Sequence, residues 1–167
     1  MTDYAAELAP LHADLRELGA TVAVAESLTG GLLTAALTET PGASATVRGG
    51  LVVYATPLKA SLAGVPQQLL DERGAVDPDV ALALARGART RLGATYGLGV
   101  TGVAGPDDQD GKAVGTVFLA LAGADGETVA ERAFTGDRAA IRAGAVRAAL
   151  DVLKRECATA ITALRSL

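Results

Sequence analysis

Short apolar runs alternate with helical patterns along this sequence of 167 residues, and the alternation limits the folds that it can adopt. The run TVAVA (21–25) has the β-branched character of a strand, and LVVYA (51–55) is typical of a second, buried one. A third strand is predicted from about Thr95 to Thr101. Strands that are separated by helices favour a sheet with helices on both faces.

The helices are predicted from apolar spacing and from residues that begin or end a helix. Pro57 suits the first turn of a short helix that contains Lys59. The four longer helices are an opening helix with Leu8, Leu11, Leu15 and Leu18 before Gly19, a helix that Ser27 or Thr29 begins and that runs to about Thr40, a helix from Asp77-Pro78 to Leu92 before Gly93, and a C-terminal helix from Asp137 onward.

A hairpin completes the predicted sheet. GTVFLALAG and ETVAERAF flank Ala124-Asp125-Gly126 and are expected to pair in antiparallel fashion. We therefore predict an α/β fold over residues 1–167, a single-domain three-layer α/β/α sandwich around a mixed sheet. Ligands of such sheets bind at the carboxyl ends of strands, where Ser27, Thr101 and the polar loop 102–115 are expected to meet.

Composition narrows the classes of ligand and compartment. A net charge of −4 argues against nucleic acid as the primary ligand, although a local basic patch could still hold one anionic metabolite. Three tyrosines, two phenylalanines and no tryptophan imply a core of Ala, Val and Leu. With one cysteine, no signal peptide at the N-terminus and no apolar segment of membrane-spanning length, we expect a cytoplasmic protein that does not contact a membrane.

Several stretches of the sequence resemble known ligand-binding motifs, but the residues around them do not fit those motifs. GLGVTG (97–102) matches a dinucleotide fingerprint in letters, but Gly105-Pro106 and an acidic loop follow it where a helix should begin. The loop around Lys112 has neither Walker spacing nor calcium-loop spacing, and its acids are expected to be solvated. One histidine and one cysteine are too few for a zinc cluster. No metal or cofactor is expected.

Ser27 has two interpretations on spacing alone. It can cap the helix that follows, with Gly30 and Gly31 permitting close packing, or it can be a nucleophile beside N–H groups that hold an oxyanion. A nucleophile needs a base, and His12, in the opening helix, is expected to be a surface or half-buried residue. Among the three lysines, Lys59 is the best placed, although alone it would be interpreted as a surface lysine.

Four further side chains have open interpretations. Glu26 can orient a neighbour or face water, and Tyr54 can hydrogen-bond Ser27 or Lys59 or simply pack at the end of its strand. Arg138 and Arg142 lie one helical turn apart, so they can form an anion clamp or pair with nearby carboxylates.

Seven blocks of the sequence together resemble one family, the CinA C-terminal domain or nicotinamide-nucleotide amidase family, in its stand-alone form. The blocks occur in the family's order and are AESLTGG (25–31), PGAS (41–44), GGLVVYATPLK (49–59), GAV (74–76), VTGVAGP (100–106), VGTV (114–117) and GDRAAIR (136–142). The chain departs from the family pattern at Leu28, Ala55 and Thr56 and in the recast loop PDDQDGK.

The resemblance implies a hydrolase of pyridine nucleotide salvage and NAD metabolism. It would convert nicotinamide mononucleotide into nicotinic acid mononucleotide and ammonia through a metal-free serine-lysine mechanism, and it would form a homo-oligomer such as a dimer. By position, Ser27 matches the family's serine, Lys59 its lysine and Tyr54 its tyrosine. In the mechanism that this implies, N–H groups near Thr29 and Gly30 would hold the oxyanion.

The substrate-binding residues that we predict are Thr29, Gly30, Gly31, Ser44, Thr101, Gly102, Gly105 and Arg142. The nucleotide phosphate would lie at Ser44, at the Thr101-Gly102 turn or at Arg142. Two other classes stay open at this point: a competence or damage-inducible protein that acts through a protein partner without catalysis, and a serine-lysine amidase for another small amide.

Overall fold

A computed structural model describes residues 3–167 and places a five-stranded mixed sheet in the order β2-β1-β3-β4-β5. The strands are β1 (Val22–Glu26), β2 (Val47–Val52), β3 (Tyr96–Gly102), β4 (Thr116–Ala122) and β5 (Glu127–Ala133). The helices are α1 (Tyr4–Glu17), α2 (Leu32–Thr38), α3 (Thr56–Ser61), α4 (Gln67–Arg73), α5 (Pro78–Arg91) and α6 (Arg138–Arg165), with a short 3₁₀ turn at Ala43–Ala45.

The sheet is parallel on one side and antiparallel on the other. β1 pairs in parallel with both β2 and β3, whereas β4 and β5 form the predicted hairpin antiparallel to β3. The carboxyl ends of β1, β2 and β3 therefore lie at the same edge of the sheet as the start of β4. This edge gathers Ser27, the residues after Val52, and both ends of the β3–β4 loop.

Helices cover both faces of the sheet, which confirms the predicted α/β class and the three layers. Helices α1, α2 and α6 bury Leu and Ile side chains against Val24, Leu98 and Leu119. On the opposite face α4 and α5 pack against the smaller Ala23 and Ala25 and against the Phe118 side chain of β4. The few aromatic residues leave this core to Ala, Val and Leu, as composition predicts.

The glycines of the GLGVTG run serve packing. A Cβ atom added at Gly97 would lie 1.9 Å from the carbonyl oxygen of Ala85, and one at Gly99 would lie 2.1 Å from that of Ala81. Side chains at these positions would push α5 off β3, so the glycines allow the helix backbone to approach the strand.

Two predicted element boundaries are wrong. α2 begins at Leu32, after Ser27 and Thr29, and its N-cap position is Gly31 in the left-handed conformation. β2 begins at Val47 and ends at Val52 as an edge strand in which Val52 is 43% exposed, so LVVYA is no buried strand. The beginning of β2 could not be predicted from the sequence, because Gly49 and Gly50 lie there and glycine has low strand propensity.

Sequence reasoning also missed α4, a two-turn helix between Pro66 and Gly74. None of the helices in residues 3–167 combines the length and the apolar character that crossing a membrane would require.

Candidate active site

Ser27 occupies the first position after β1. Its N–H donates a hydrogen bond to the carbonyl oxygen of Val100 in β3 (3.0 Å), which continues the parallel ladder by one residue beyond Glu26. The residue is 8% exposed, and it lines the cavity at the edge where the strands end. Because the sheet fixes its backbone, Ser27 stands on a rigid support and not in a free loop.

Lys59 lies on α3 and reaches back to Ser27. Its Nζ lies 2.9 Å from Ser27 Oγ and donates to the carbonyl oxygens of Val53 (2.8 Å) and Tyr54 (3.4 Å). Only 1% of the residue is exposed, so the interpretation of Lys59 as a surface lysine is wrong. Pro57 begins the short helix that aims this side chain inward.

Burial changes the protonation of this amine. Desolvation lowers the pKa of Lys59 from 10.5 to about 8, and the negative charge of Asp110 opposes that shift. With a pKa near 8, about a tenth of the amine is neutral at pH 7. A lysine of this kind can accept a proton from a serine at ordinary pH.

Glu26 organises the turn that carries Ser27. Its carboxylate is fully buried and accepts five hydrogen bonds of 2.7–3.2 Å, from the hydroxyls of Thr29 and Thr34 and from the N–H groups of Gly31, Leu33 and Thr34. The carboxylate thus takes the place of an N-cap side chain for α2. Glu26 does not face water, and neither Ser27 nor Thr29 caps the helix, so the capping interpretation of Ser27 is wrong.

A cavity of about 320 Å³ opens in front of Ser27 and Lys59. Its wall comes from the turn after β1, from α3, from the segment after α4, from the β3–β4 loop and from the start of α6. The lining residues are Ser27, Leu28, Tyr54, Lys59, Ala75, Val76, Thr101, Gly102, Val103, Ala104, Gly105, Pro106, Asp107, Asp108, Gln109 and Arg138. Of the predicted substrate-binding residues, Thr101, Gly102 and Gly105 line this cavity.

The backbone after Ser27 offers hydrogen-bond donors. Within residues 3–167, the N–H groups of Leu28 and Thr29 donate no hydrogen bond, and Leu28 lines the cavity. The Gly30 N–H is unavailable, because it donates to the Ser27 carbonyl oxygen (3.0 Å), and the Gly31 N–H donates to Glu26. Gly30 is therefore not available as the predicted oxyanion donor, whereas the N–H groups of Leu28 and Thr29 have no acceptor among the described residues.

Arg142 supports the same turn and does not line the cavity. Its guanidinium donates from Nε to the Leu28 carbonyl oxygen and from Nη2 to that of Thr29, both at 3.0 Å. Gly30 makes room for it, since a Cβ there would lie 3.2 Å from Nη2 of Arg142. Arg142, which was a predicted phosphate ligand, thus donates two hydrogen bonds to the backbone that follows Ser27, and it is absent from the residues that line the cavity.

Tyr54 and Arg138 form the outer rim of the cavity. Arg138 donates to the Tyr54 hydroxyl at 2.7 Å and to the carbonyl oxygen of Gly105, and Tyr54 is 57% exposed. The Tyr54 hydroxyl thus meets Arg138 and not Ser27 or Lys59. Among the described residues, Arg138 and Arg142 form no ion pair with a carboxylate, so the interpretation that they pair with nearby carboxylates is wrong.

Ser44 lies outside the cavity. It belongs to the 3₁₀ turn before β2 and lines a separate surface pocket with Pro41, Gly42 and Arg48. Since β2 begins beside the start of β1, this turn lies at the amino ends of the strands, at the edge opposite Ser27. The assignment of Ser44 to the substrate site is therefore corrected.

His12 and Cys157 do not line the cavity in front of Ser27 and Lys59. His12 is fully buried, not half-exposed, and its Nδ1 lies 2.6 Å from Thr46 Oγ1 at the opposite edge of the sheet. Cys157 is buried in α6, where desolvation raises the pKa of its thiol to about 12. In the described part of the chain, no three His, Cys, Asp or Glu side chains cluster as metal ligands would.

The model of the CinA C-terminal domain matches residues 6–157. This chain belongs to the CinA C-terminal domain family. A CinA-like protein of Frankia casuarinae is 55% identical over 141 residues, which are 84% of this chain and 33% of the relative. A CinA-like protein of Geobacter sulfurreducens is 51% identical over 146 residues, 87% of this chain and 35% of the relative. The chain thus spans about a third of the length of the curated relatives that it matches.

Solved structures agree with the family assignment. A competence/damage-inducible protein from Agrobacterium tumefaciens superposes with a TM-score of 0.87 at 37% identity, covering 93% of this chain and 96% of the other. A CinA superfamily protein from Escherichia coli gives a TM-score of 0.85 at 31% identity and covers 90% of each chain. The α/β fold is therefore that of the CinA family.

Proposed function

We propose that this chain is an amidohydrolase that converts nicotinamide mononucleotide into nicotinic acid mononucleotide and ammonia through an acyl-enzyme on Ser27. The observation that carries the proposal is the contact of 2.9 Å between Lys59 Nζ and Ser27 Oγ, made by a buried lysine at the wall of a cavity. We choose nicotinamide mononucleotide as the substrate because the resemblance to the nicotinamide-nucleotide amidase family implies it.

The first half-reaction forms the acyl-enzyme. The neutral Lys59 amine accepts the Ser27 hydroxyl proton while Oγ attacks the carboxamide carbon, and the carbonyl oxygen becomes an oxyanion. The N–H groups of Leu28 and Thr29 stabilise this oxyanion, and one such donor contributes about 3 kcal/mol to the transition state. Lys59 then gives the proton to the departing nitrogen, ammonia leaves, and an ester on Ser27 stays behind.

The second half-reaction hydrolyses that ester. Lys59, neutral again, accepts a proton from a water molecule whose oxygen attacks the ester carbon. The proton then passes to Ser27 Oγ as the carbon–oxygen bond breaks, and the product forms as a carboxylic acid. The acid gives its proton to the solvent, where the released ammonia takes it up, and nicotinic acid mononucleotide is left as a carboxylate. The enzyme returns to its starting state without a net change in protons on Ser27 or Lys59.

The rest of the nucleotide would lie along the cavity toward its rim. Arg138 lines the cavity and carries the positive charge that a phosphate needs, and Tyr54 offers an aromatic face beside it. The Thr101 hydroxyl donates to the Ala75 carbonyl oxygen (2.7 Å), so it shapes the wall and is not free to donate to a phosphate. We assign the phosphate to Arg138.

Ammonia release from nicotinamide mononucleotide by the wild type, Ser27→Ala and Lys59→Ala tests this function. We expect release by the wild type and a loss of about a hundredfold or more in each variant. Ser61→Ala, on an exposed position of α3, and Lys154→Ala, on α6, are the matched controls and should keep full activity. Full turnover by Ser27→Ala would refute the nucleophile, and activity only on free nicotinamide or another amide would refute the substrate.

A competence or damage-inducible role through a protein partner is the second candidate. The Agrobacterium structure is named a competence/damage inducible protein and the Escherichia coli structure a competence-damaged protein. Leu58 on α3 and Leu62 just after it expose apolar surface that a partner could cover. A protein partner that binds this chain while no amide is hydrolysed would support this role. A wild type that releases no ammonia from any pyridine nucleotide and forms a stoichiometric complex with a partner would favour this role over the amidase.

A further inference from the structure

The β3–β4 loop carries an ordered turn at its tip. Gln109 and Lys112 exchange two backbone hydrogen bonds, of 2.8 and 3.1 Å, and the two residues between them, Asp110 and Gly111, have φ values of +51° and +72°. Two left-handed residues in this position define a tight hairpin turn for which Asp-Gly is a preferred pair. The Asp110 side chain therefore leaves the loop from a fixed backbone.

That side chain links the loop to the opposite wall of the cavity. Asp110 Oδ2 accepts a hydrogen bond from the Ala75 N–H at 2.8 Å. Gly74 makes room for it, because a Cβ at residue 74 would lie 2.7 Å from Asp110 Cγ. The Ala75 carbonyl oxygen accepts from the Thr101 hydroxyl, so the two peptide groups of Ala75, one on each side of its Cα, are held by two different elements.

Asp110 also acts on Lys59 through its charge. Desolvation lowers the pKa of Lys59, and the Asp110 carboxylate is the charge that opposes this shift. The other ionisable groups at the cavity are Tyr54 on the α3 side, Asp107 and Asp108 in the loop, and Arg138 on α6. Asp108 accepts from the Val114 N–H within the loop, whereas Arg138 on α6 donates to Gly105 in the loop and to the Tyr54 hydroxyl.

We propose that Asp110 is a positioning residue of this site, which ties the β3–β4 loop to the Ala75 backbone and sets the electrostatic environment of the Lys59 amine. The proposal rests on the proposed amidase function, since it assigns the cavity wall to the substrate and Lys59 to proton transfer. The sequence predicts solvated acids in this loop, whereas Asp110 and Asp108 each accept a hydrogen bond from a backbone N–H group, and only the Asp110 bond among these two leaves the loop.

Two substitutions separate the link from the charge. Asp110→Asn keeps an oxygen that can accept from the Ala75 N–H but removes the negative charge, whereas Asp110→Ala removes both. Asp125→Asn, in the β4–β5 turn at the opposite edge of the sheet, removes the same charge far from the cavity. We expect Asp110→Ala to raise the KM for nicotinamide mononucleotide about tenfold, the effect of one charge-assisted hydrogen bond.

The conservative variant should rescue KM and still change the pH profile. We expect Asp110→Asn to keep KM within about twofold of the wild type and to move the acid limb of kcat/KM to lower pH by about half a pH unit, because loss of the anion favours the neutral amine. Asp125→Asn should change neither. An Asp110→Ala variant with wild-type KM, or an Asp110→Asn variant with an unmoved acid limb, would overturn the proposal.

An NMR titration of Lys59 keeps this test independent of turnover. The Lys59 Cε signal should titrate at lower pH in Asp110→Asn than in the wild type and at an unchanged pH in Asp125→Asn. If the wild type releases no ammonia while this shift is found, the amidase function fails and the electrostatic role of Asp110 stands. An unshifted titration in Asp110→Asn would contradict that role whatever the activity.

Discussion

Lys59 Nζ lies 2.9 Å from Ser27 Oγ, although the two residues are 32 positions apart in the chain and belong to different elements. The sheet brings Ser27 to the carboxyl end of β1, and the turn after β2 brings α3 and Lys59 to the same edge. No other side-chain atom of the described residues accepts a hydrogen bond from this amine, since its other two bonds go to backbone carbonyl oxygens. The amine is thus held against the hydroxyl by the fold itself.

The first prediction concerns pH. Because the pKa of Lys59 lies at about 8 and the neutral amine is the base, kcat/KM should rise with pH and level off above about 8. Below pH 8 each unit of acidification should cost up to tenfold, as the protonated fraction grows. A kcat/KM profile for ammonia release between pH 6 and 9.5 measures this. A profile that falls across pH 7–9 would contradict Lys59 as the base.

The second prediction concerns the buried carboxylate of Glu26. Glu26→Gln replaces one acceptor oxygen with an amide nitrogen that cannot accept, so N–H donors at the start of α2 lose their partner. We expect a loss of about 2–4 kcal/mol in the free energy of unfolding, measured by urea denaturation. Glu39→Gln, an exposed change at the other end of α2, is the control and should stay within about 0.5 kcal/mol of the wild type. Equal stabilities would show that Glu26 does not hold this turn.

The third prediction concerns the approach of α5 to β3. Gly99→Ala places a Cβ 2.1 Å from the Ala81 carbonyl oxygen, so the helix must move or the strand must bend. Overpacking of this kind should lower the free energy of unfolding by about 2–3 kcal/mol. Gly126→Ala in the β4–β5 turn meets no atom within 4 Å and is the control for the added methyl group. Thermal denaturation of both variants measures the difference in stability. A Gly99→Ala protein as stable as Gly126→Ala would refute the close approach of α5 to β3.

The fourth prediction concerns acid stability. Burial lowers the pKa of His12 below 6.5, so the unfolded chain binds a proton more readily than the folded one. Stability that is present above pH 6.5 is therefore lost as the pH falls below 6.5 toward the folded pKa of His12. His12 is the one histidine of the chain, so His12→Gln should flatten the dependence between pH 6.5 and 5. The free energy of unfolding at half-unit pH steps measures this, and parallel curves for both proteins would rule it out.

Much of the fold could be predicted from the sequence because local signals agreed with the tertiary structure. Asp77-Pro78 and Asp137 begin α5 and α6 as predicted, since each Asp side chain accepts from an N–H in the first turn. The β4–β5 hairpin followed from its turn residues. β2 was misplaced because Gly49 and Gly50 give no strand signal, although Gly50 is needed where a Cβ would lie 2.0 Å from Thr34 Oγ1.

The site could be predicted in part. One histidine and one cysteine leave a lysine as the predicted base of Ser27, and the position of Lys59 just after a strand favours it over the other two lysines. The buried role of Glu26 could not be found, because a single glutamate after apolar residues has the same appearance whether it faces water or caps a helix from inside. The Arg142 contacts to Leu28 and Thr29 join residues over 110 positions apart, which no local pattern reveals.

The central claim is that Ser27 becomes acylated during turnover. Acid quenching of the wild type within the first turnovers on nicotinamide mononucleotide, followed by mass spectrometry of its peptides, measures this directly. We predict a peptide containing Ser27 that is heavier by the mass of the substrate less ammonia, absent from Ser27→Ala and accumulating when the ester is hydrolysed slowly. Ammonia release at an undiminished rate by Ser27→Ala, with no such adduct in the wild type, would contradict the account.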